Sequence, residues 1–266
     1  VINPNGTTNY LNRVLTENKV EMASARYWEQ LPQLEKVSQT FGVPKNYLMA
    51  LWGMESSFGY YQGSYDVLSV LATLAFDGRR EALFSKEFIA AMKMLQRDHI
   101  QRHKMLGSWA GAMGQTQFMP SSYLRYAADG NGDGEKNIWT EHYDVFASIA
   151  NYLHTEGWNP NLPWGIEVTV NQPIDMALSG IEEGKQRSLS DWQKLGVTAK
   201  FFTSETQQKL TALSQTDLWL VRPDRELGRA FLVSNNYRTL LHWNKSNYFA
   251  VSIGMFADRI QQRIGN

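Results

Sequence analysis

The stretch "GSWAGAMGQTQFMPSSY", residues 107–123, is crowded with small residues and lies between two segments of helical periodicity. Gly107, Gly111 and Gly114 allow tight backbone turns and the close approach of a ligand. Four neutral hydrogen-bonding side chains stand among them: Ser108, Gln115, Thr116 and Gln117. Such groups suit a neutral substrate rich in hydroxyls and amides, and the alternative interpretation is a packed loop between two helices.

The acidic stretch that follows, "DGNGDGEKNIWTEHYD" (129–144), begins as the calcium loop of an EF-hand does. Oxygen-bearing side chains stand at the first, third and fifth positions of such a loop: Asp129, Asn131 and Asp133. Gly134 follows where the loop turns sharply, and Glu135 would contribute its backbone carbonyl. This spacing favours calcium over the alternative, a solvated turn of Asp, Asn and Gly.

The second half of this loop departs from the EF-hand pattern. Thr140 stands where EF-hands carry a bidentate glutamate. Glu141 and Asp144 are close enough in sequence to replace that ligand, and Asp144 opens the next predicted helix. We therefore expect either Glu141 or Asp144 to complete the calcium shell.

Upstream, "ALWGMESSFG" (50–59) places a carboxylate on the apolar face of a predicted helix. Pro44 suits the first turn of that helix, and Gly59 suits the residue just past its end. Three apolar residues share a face with Glu55 at spacings of three and four: Leu48, Leu51 and Trp52. Burial and the negative end of the helix dipole favour the protonated acid, as a general acid requires. The alternative is that Glu55 caps a groove or pairs with an arginine.

A fourth stretch, "LLHWNKSNYFA" (240–250), clusters two aromatic residues around an amide just before the last predicted helix. Trp243, Asn244 and Tyr248 form an arrangement that is typical of sugar binding when it is exposed. The alternative for each aromatic is packing in the core.

Composition describes an ordinary globular chain and excludes several classes of function. The 266 residues are 43% hydrophobic and 20% charged, and the formal net charge of zero offers no basic field to nucleic acid. The lack of cysteine excludes disulfides, thiolate catalysis and cysteine-ligated metals. No run of about 18 apolar residues is present to span a membrane. No signal peptide begins at Val1, so we expect that one was removed or never existed.

Periodicity and helix-end signals predict a mainly α (α+β) protein in which a helical lobe carries a small mixed insert. Helices are predicted within 1–43 and at 44–59, 66–76, 81–100, 120–129, 143–157, 188–196 and 248–264. Strands are predicted at 164–170, 218–223, 228–234 and 238–243. The predicted domains are a helical catalytic lobe with the calcium loop (1–160), an α/β insert (161–235) and a return to the catalytic core (236–266).

Together these stretches resemble the membrane-bound lytic transglycosylase B family of bacterial cell-wall enzymes, over most of the chain. The most specific piece is "GAMGQTQFMPSSY" with the acidic loop directly after it, and "GMESSFG" stands upstream in the expected order. The resemblance implies a lysozyme-like helical core with a small inserted subdomain. It also implies cleavage of the bond between N-acetylmuramic acid and N-acetylglucosamine in peptidoglycan, without water, to give 1,6-anhydromuramoyl ends.

The resemblance assigns roles residue by residue. It makes Glu55 the catalytic acid and base, the single carboxylate of the reaction. The residues that it implies in substrate binding are Tyr10, Ser108, Gln117, Tyr152, Trp243, Asn244 and Tyr248. Trp243 stands where the family commonly has a tyrosine. The implied ligands of a structural calcium ion are Asp129, Asn131, Asp133, Glu135 and Asp144, with one extra residue before Asp144.

The expected partners are peptidoglycan glycan strands, with cell-wall synthesis proteins as a further candidate class and no nucleic acid. The expected state is a monomer without an organic cofactor. The expected location is the periplasm, or the periplasmic face of the outer membrane if a lipid anchor lies upstream of this chain. Two other classes of function stay open: a hydrolase of the lysozyme type, and a non-catalytic calcium-dependent glycan-binding module.

Overall fold

The computed structural model describes residues 3–265 of the chain. The α-helices in this range are α1 (Gly6–Val14), α2 (Glu17–Glu29), α3 (Leu31–Phe41), α4 (Lys45–Ser56), α5 (Val67–Asp77), α6 (Glu81–Arg97), α7 (Pro120–Tyr126), α8 (His142–Thr155), α9 (Leu189–Lys194), α10 (Ser204–Leu213), α11 (Asn235–Trp243) and α12 (Asn247–Ile264). The strands are β1 (Tyr65–Asp66), β2 (Leu106–Gly107), β3 (Gly165–Val170), β4 (Arg187–Ser188), β5 (Val197–Ala199), β6 (Asp217–Val221) and β7 (Ala230–Val233).

The described chain forms two compact units, and each unit is assembled from two separate segments. One unit holds residues 21–155 and 260–265, and the other holds residues 3–20 and 156–259. The division predicted from the sequence, into 1–160, 161–235 and 236–266, stays a prediction.

The unit built on residues 21–155 is helical and has its core around α4. Helices α3 and α4 both pack against α8, while α5 packs along α6 and α6 along α7. The apolar residues spaced along α4 enter this core: Leu48 and Leu51 are fully buried, and Trp52 is 1% exposed. Strand β1 pairs with β2 in this unit, with Tyr65 opposite Gly107, and single bridges join Gly107 to Met113 and Met113 to Phe118.

The other unit contains a five-stranded antiparallel sheet in the order β4-β6-β7-β3-β5. Alternating apolar residues of its strands bury one face together with Trp192 of α9 and Leu213 of α10. The Trp192 indole satisfies its own N–H in that core by donating to the Leu218 carbonyl at 2.9 Å. Trp164 anchors α12, because a Cβ on Gly254 would lie 2.3 Å from the Trp164 ring.

The predicted helices and three of the predicted strands are confirmed, with ends that differ by a few residues. The strand predicted at 238–243 is wrong, because these residues belong to helix α11. The helix starts at a Ser234 side chain that accepts from the Asn236 N–H, and it buries Tyr237 and Leu240 at helical spacing. Helix α10 was not predicted, although its Thr203 cap accepts from the Thr206 N–H.

Among the described residues, no helix has both the length and the apolar character needed to cross a membrane.

Candidate active site

Glu55 lies in the last turn of α4, as predicted, but it is only partly buried. The helix is fully buried from Tyr47 to Gly53, whereas Met54 and Glu55 are partly exposed. The helix therefore carries the carboxyl group from the core to a position that solvent or a ligand can reach.

The chain after Glu55 makes a left-handed turn of three residues, and the helix ends at Ser56 rather than near Gly59. The φ angles of Ser57, Phe58 and Gly59 are 50°, 61° and 86°. Only glycine adopts this region without cost, so Ser57 and Phe58 must be held there by their surroundings. The Ser56 hydroxyl contributes by accepting from the Gly59 N–H at 3.0 Å.

Gln115 holds this turn from the other side and is a residue whose role the sequence did not reveal. Its side-chain oxygen accepts from Trp52 Nε1 at 2.8 Å, and its backbone oxygen accepts from Ser56 Oγ at 2.7 Å. Its side-chain amide donates to the Trp139 carbonyl at 3.0 Å. The only sequence signal was its position among the neutral polar residues of 107–123.

Ser108 and Gln117, which the resemblance places at the site, are both partly buried in the same unit as Glu55. Ser108 Oγ accepts from the Ala110 and Ala112 N–H groups at 3.3 and 3.1 Å. Gln117 has a left-handed backbone, with φ of 55°, and its amide donates to the carbonyls of Gln62 and Gly114. These contacts fix both side chains in place.

An open cleft of about 910 Å³ begins at the turn that follows Glu55. Its walls are residues 59–64, residues 98–101, 103 and 104 after α6, and residues 135–137, 139 and 140 of the acidic loop, together with Leu106 and Tyr123. Tyr60 and Tyr61 stand 80% and 68% exposed in the first wall. The cleft thus offers exposed aromatic faces and amides beside the carboxylate-bearing helix.

The acidic loop brings three carboxylates together: atoms of Asp129, Asp133 and Asp144 lie within 4.8 Å of one another. Asp144 is fully buried in the first turn of α8 and accepts from the Gly130 and Asn137 N–H groups at 2.7 and 2.8 Å. Of the two candidates for the last ligand, Glu141 and Asp144, it is therefore Asp144 whose carboxylate lies beside those of Asp129 and Asp133.

Other residues of the loop support its shape. Asp129 accepts from the N–H groups of Gly132 and Gly134, and Asn131 accepts from that of Asp133. Gly134 has φ of 90°, as the sharp turn of such a loop requires. The Glu141 carboxylate accepts a hydrogen bond from the Tyr143 N–H at 3.2 Å.

The donor set of this loop fits calcium, which takes carboxylate and carbonyl oxygens in flexible geometry. Burial raises the pKa of Asp144 to about 6, and the nearby carboxylates of Asp129 and Asp133 act in the same direction, against the two backbone hydrogen bonds. A divalent cation among the three groups would relieve this repulsion.

In the other unit, Tyr10 of α1 stacks on Tyr248 of α12, with ring centroids 5.5 Å apart. The Tyr248 hydroxyl donates to Asp224 Oδ1 at 2.5 Å, and Asp224 Oδ2 accepts from the Thr7 N–H at 2.8 Å. Asp224 is only 4% exposed. It thereby fixes the aromatic pair, a role that no local sequence signal indicated.

The remaining residues implied by the resemblance lie in different surroundings. Asn244 is exposed at the end of α11, next to the partly buried Trp243. Tyr152 is 6% exposed, and its ring centroid lies 4.1 Å from that of Tyr126. Tyr152 thus belongs to a buried aromatic cluster of the helical unit, and its role in substrate binding stays a prediction.

Comparison with known proteins gives the family. The family model described as the transglycosylase SLT domain matches residues 3–258. The chain belongs to this family. The membrane-bound lytic murein transglycosylase B of Escherichia coli (strain K12) is 30% identical over 256 residues, which are 94% of this chain. This chain spans 66% of that relative's length.

Solved structures of two other proteins agree with the fold. SltB3 from Pseudomonas aeruginosa, in complex with NAG-NAM-pentapeptide, has a TM-score of 0.86 and 36% identity, covering 97% of this chain and 67% of its own. The Escherichia coli lytic transglycosylase SLT35, in complex with calcium, has a TM-score of 0.82 and 26% identity, covering 97% and 79%. The predicted fold class, a lysozyme-like helical core with a small sheet, is confirmed.

Proposed function

We propose that this protein is a peptidoglycan lytic transglycosylase in which Glu55 is the acid and then the base. The observation that carries the proposal is a partly exposed carboxyl group at the end of a buried helix, in a family whose relatives are named for this reaction. The bond cleaved is the β-1,4 bond between N-acetylmuramic acid and N-acetylglucosamine, and the complex of SltB3 with NAG-NAM-pentapeptide supports this substrate class.

One carboxyl group is sufficient for the proposed reaction. Protonated Glu55 gives its proton to the glycosidic oxygen, the C1–O bond breaks, and the N-acetyl group of muramic acid stabilises the cation at C1. Ionised Glu55 then takes the proton of the C6 hydroxyl while that oxygen bonds to C1. Intramolecular attack has a high effective molarity, so no water need be positioned. Glu55 ends protonated, as it began, and the product is a 1,6-anhydro ring.

The nearest downstream carboxylates have other partners, which supports Glu55 as the single acid. Asp66 Oδ2 accepts from Arg102 at 2.7 Å and from Ser69, and the hydrogen bond from Arg102 holds the pKa of Asp66 below its usual value. Asp77 pairs with Arg79 at 3.4 Å on the surface. An ionised, arginine-bound Asp66 cannot donate a proton to a leaving group.

Glycan is proposed to bind through the stacked pair of Tyr10 and Tyr248, with Trp243 and Asn244 a few residues before Tyr248 in the sequence. In the helical unit, Ser108 and Gln117 would contribute polar contacts and the cleft after Glu55 would take a further part of the polymer. The proposed setting is the periplasm, with a structural calcium ion in the acidic loop, as the calcium complex of SLT35 supports.

The Asn244→Ala variant is expected to lose turnover while its Tm stays unchanged, because Asn244 is exposed and its side chain makes no hydrogen bond among residues 3–265. Lys245→Ala, which truncates the neighbouring exposed side chain, is the matched control and should keep both properties. Peptidoglycan turnover and thermal unfolding check this. Full activity of Asn244→Ala would remove Asn244 from the binding site.

The Tyr248→Ala variant is expected to raise KM for glycan strands by roughly 2- to 10-fold, because an aromatic stacking contact is worth about 0.5–1.5 kcal/mol. Tyr248→Phe keeps the ring but loses the hydrogen bond to Asp224, so it should raise KM by less. Steady-state kinetics on soluble glycan strands measure this. An unchanged KM for Tyr248→Ala would mean that the aromatic pair only packs α1 against α12.

The reaction itself is tested by mass spectrometry of a peptidoglycan digest, because an anhydro end is one water lighter than a reducing end. Predominantly 1,6-anhydromuramoyl ends are expected. Reducing ends would instead identify a hydrolase, and binding without any product would identify a glycan-binding module.

A further inference from the structure

Gln115 is a nearly buried glutamine, 5% exposed, and every polar atom of it is engaged. Its Oε1 and backbone oxygen accept from Trp52 Nε1 and Ser56 Oγ, at 2.8 and 2.7 Å. Its Nε2 and backbone N–H donate to the carbonyls of Trp139 and Ile138, at 3.0 and 2.8 Å. One residue therefore joins the end of α4 to residues 138–139 of the acidic loop.

The two residues that Gln115 holds on α4 flank the proposed acid. Trp52 lies one helical turn before Glu55 on the same face, and Ser56 follows Glu55 directly. Both are almost fully buried, at 1% exposed each. Gln115 therefore holds the helical turn that carries Glu55 at two points, through the side chains of Trp52 and Ser56.

The left-handed turn after Glu55 also lies directly on Gln115. A Cβ on Gly59 would lie 2.4 Å from Gln115 Oε1, so the turn and the glutamine side chain are in close contact. Ser57 and Phe58 occupy a backbone region that is costly for residues other than glycine and persists only where the surroundings determine it. Gln115 and Ser56 supply those surroundings on this side of the turn.

Residue Trp139, to which the Gln115 side chain bonds, is itself held by several hydrogen bonds. The Trp139 carbonyl accepts from Gln62 as well as from Gln115, and the Trp139 N–H donates to Asn137. Trp139 Nε1 donates to the Leu106 carbonyl at 2.9 Å. Gln115 thus bonds the end of α4 to a segment that further hydrogen bonds hold in place.

We propose that Gln115 is a positioning residue for the reaction: it ties the last turn of α4 to residues 138–139 and so holds the Glu55 carboxyl where the proton is transferred. This inference rests on the proposed role of Glu55 and deepens it. Gln115 is nearly buried, and its effect on the reaction passes through Trp52, Ser56 and the turn.

The decisive variant is Gln115→Met, which keeps the length and volume of the side chain but removes both of its hydrogen bonds. Because a misplacement of about 1 Å can cost on the order of 100-fold in rate, kcat is expected to fall by roughly 10- to 100-fold. KM should stay within about twofold of the wild-type value, because the residues proposed to bind glycan are unchanged. Steady-state kinetics on soluble glycan strands separate the two constants.

The matched control is Glu87→Gln, in the same helical unit. Glu87 is 3% exposed and accepts from the N–H and hydroxyl of Ser121. It is therefore a buried polar residue whose loss costs stability, but it bonds to neither α4 nor residues 138–139. The Tm of Glu87→Gln is expected to fall, while its kcat stays at the wild-type value.

Ser56→Ala is the second variant, for the case in which Gln115→Met does not fold. It removes the bonds from Ser56 Oγ to Gln115 and to Gly59 and fits without strain. It should lower kcat with KM unchanged, as for Gln115→Met. A wild-type kcat in either folded variant, or an equal loss of kcat in Glu87→Gln, would overturn the inference. If instead Glu55→Gln kept full activity, the proposed function itself would fail.

Discussion

Glu55→Gln is expected to fold normally. Its turnover should fall by at least the factor of about 10²–10⁴ that general acid–base catalysis contributes. The loss should reach the upper end of that range or exceed it, because the same carboxyl group gives a proton in one step and takes one in the next. Glutamine keeps the shape and polarity of the side chain at the end of α4. Glycan binding should therefore persist in an inactive protein, which a pull-down with insoluble peptidoglycan can measure.

The control for this experiment is Asp66→Asn, which removes the carboxylate that Arg102 holds. Turnover should stay near the wild-type value if Glu55 is the only acid and base. Comparable losses in the two variants would indicate a pair of carboxylates, as most glycosidases use. Substantial activity in a folded Glu55→Gln protein would show that the carboxylate of "GMESSFG" is structural.

Calcium is expected to raise the Tm of this protein, and Asp144→Asn is expected to abolish that rise. A ligand that binds only the folded state stabilises it by about 2.7 kcal/mol when its concentration is 100 times its Kd. Asp144 is the converging and fully buried carboxylate of the loop, so its replacement removes both a ligand atom and a charge. Thermal unfolding with calcium and with chelator measures the effect. A Tm that changes with neither calcium nor chelator would contradict calcium binding in this loop.

The pH dependence of this effect follows from the pKa of Asp144, which lies at about 6 without metal. This pKa is above the ordinary value for an aspartate, so the folded protein holds the Asp144 proton more tightly than the unfolded chain does. Ionisation of Asp144 therefore lowers the stability of the metal-free protein as pH rises from about 4 through 6. Calcium requires the ionised form, so at pH 5 it must displace a proton. The calcium-induced rise in Tm should therefore be larger at pH 7 than at pH 5. An equal rise at both values would exclude Asp144 as a ligand.

Local signals in the sequence predicted most of the helices and the acidic loop, because caps, glycines and periodicity act over a few residues. The same signals failed at 238–243, where apolar, β-compatible residues were interpreted as a strand. A Ser234 cap and the burial of Tyr237 and Leu240 on one face favour a helix there instead.

Contacts between distant parts of the chain could not be predicted from one sequence. Asp224 is bonded to Thr7 across 217 positions, and nothing in "RPDREL" marks it as the anchor of Tyr248. Gln115 was visible as a neutral polar residue, but its partners Trp52 and Trp139 lie 63 and 24 positions away. The end of α4 was placed near Gly59 because two non-glycine residues in left-handed conformations, Ser57 and Phe58, are not expected without tertiary support.

Each of the two units is built from segments that are distant in the sequence, and this affects how the chain can fold while it is being synthesised. The sheet-containing unit begins with α1 and needs residues up to 259, so the Thr7–Asp224 bond and the stacking of Tyr10 on Tyr248 form only after most of the polypeptide has been made. Folding that depends on such non-local contacts is slow, and it leaves the apolar strand β3 exposed to aggregation until its partner β7 has been made. A nascent chain stalled after Thr155 should therefore be protease-sensitive within residues 3–20, and this sensitivity should disappear on release of the full-length chain.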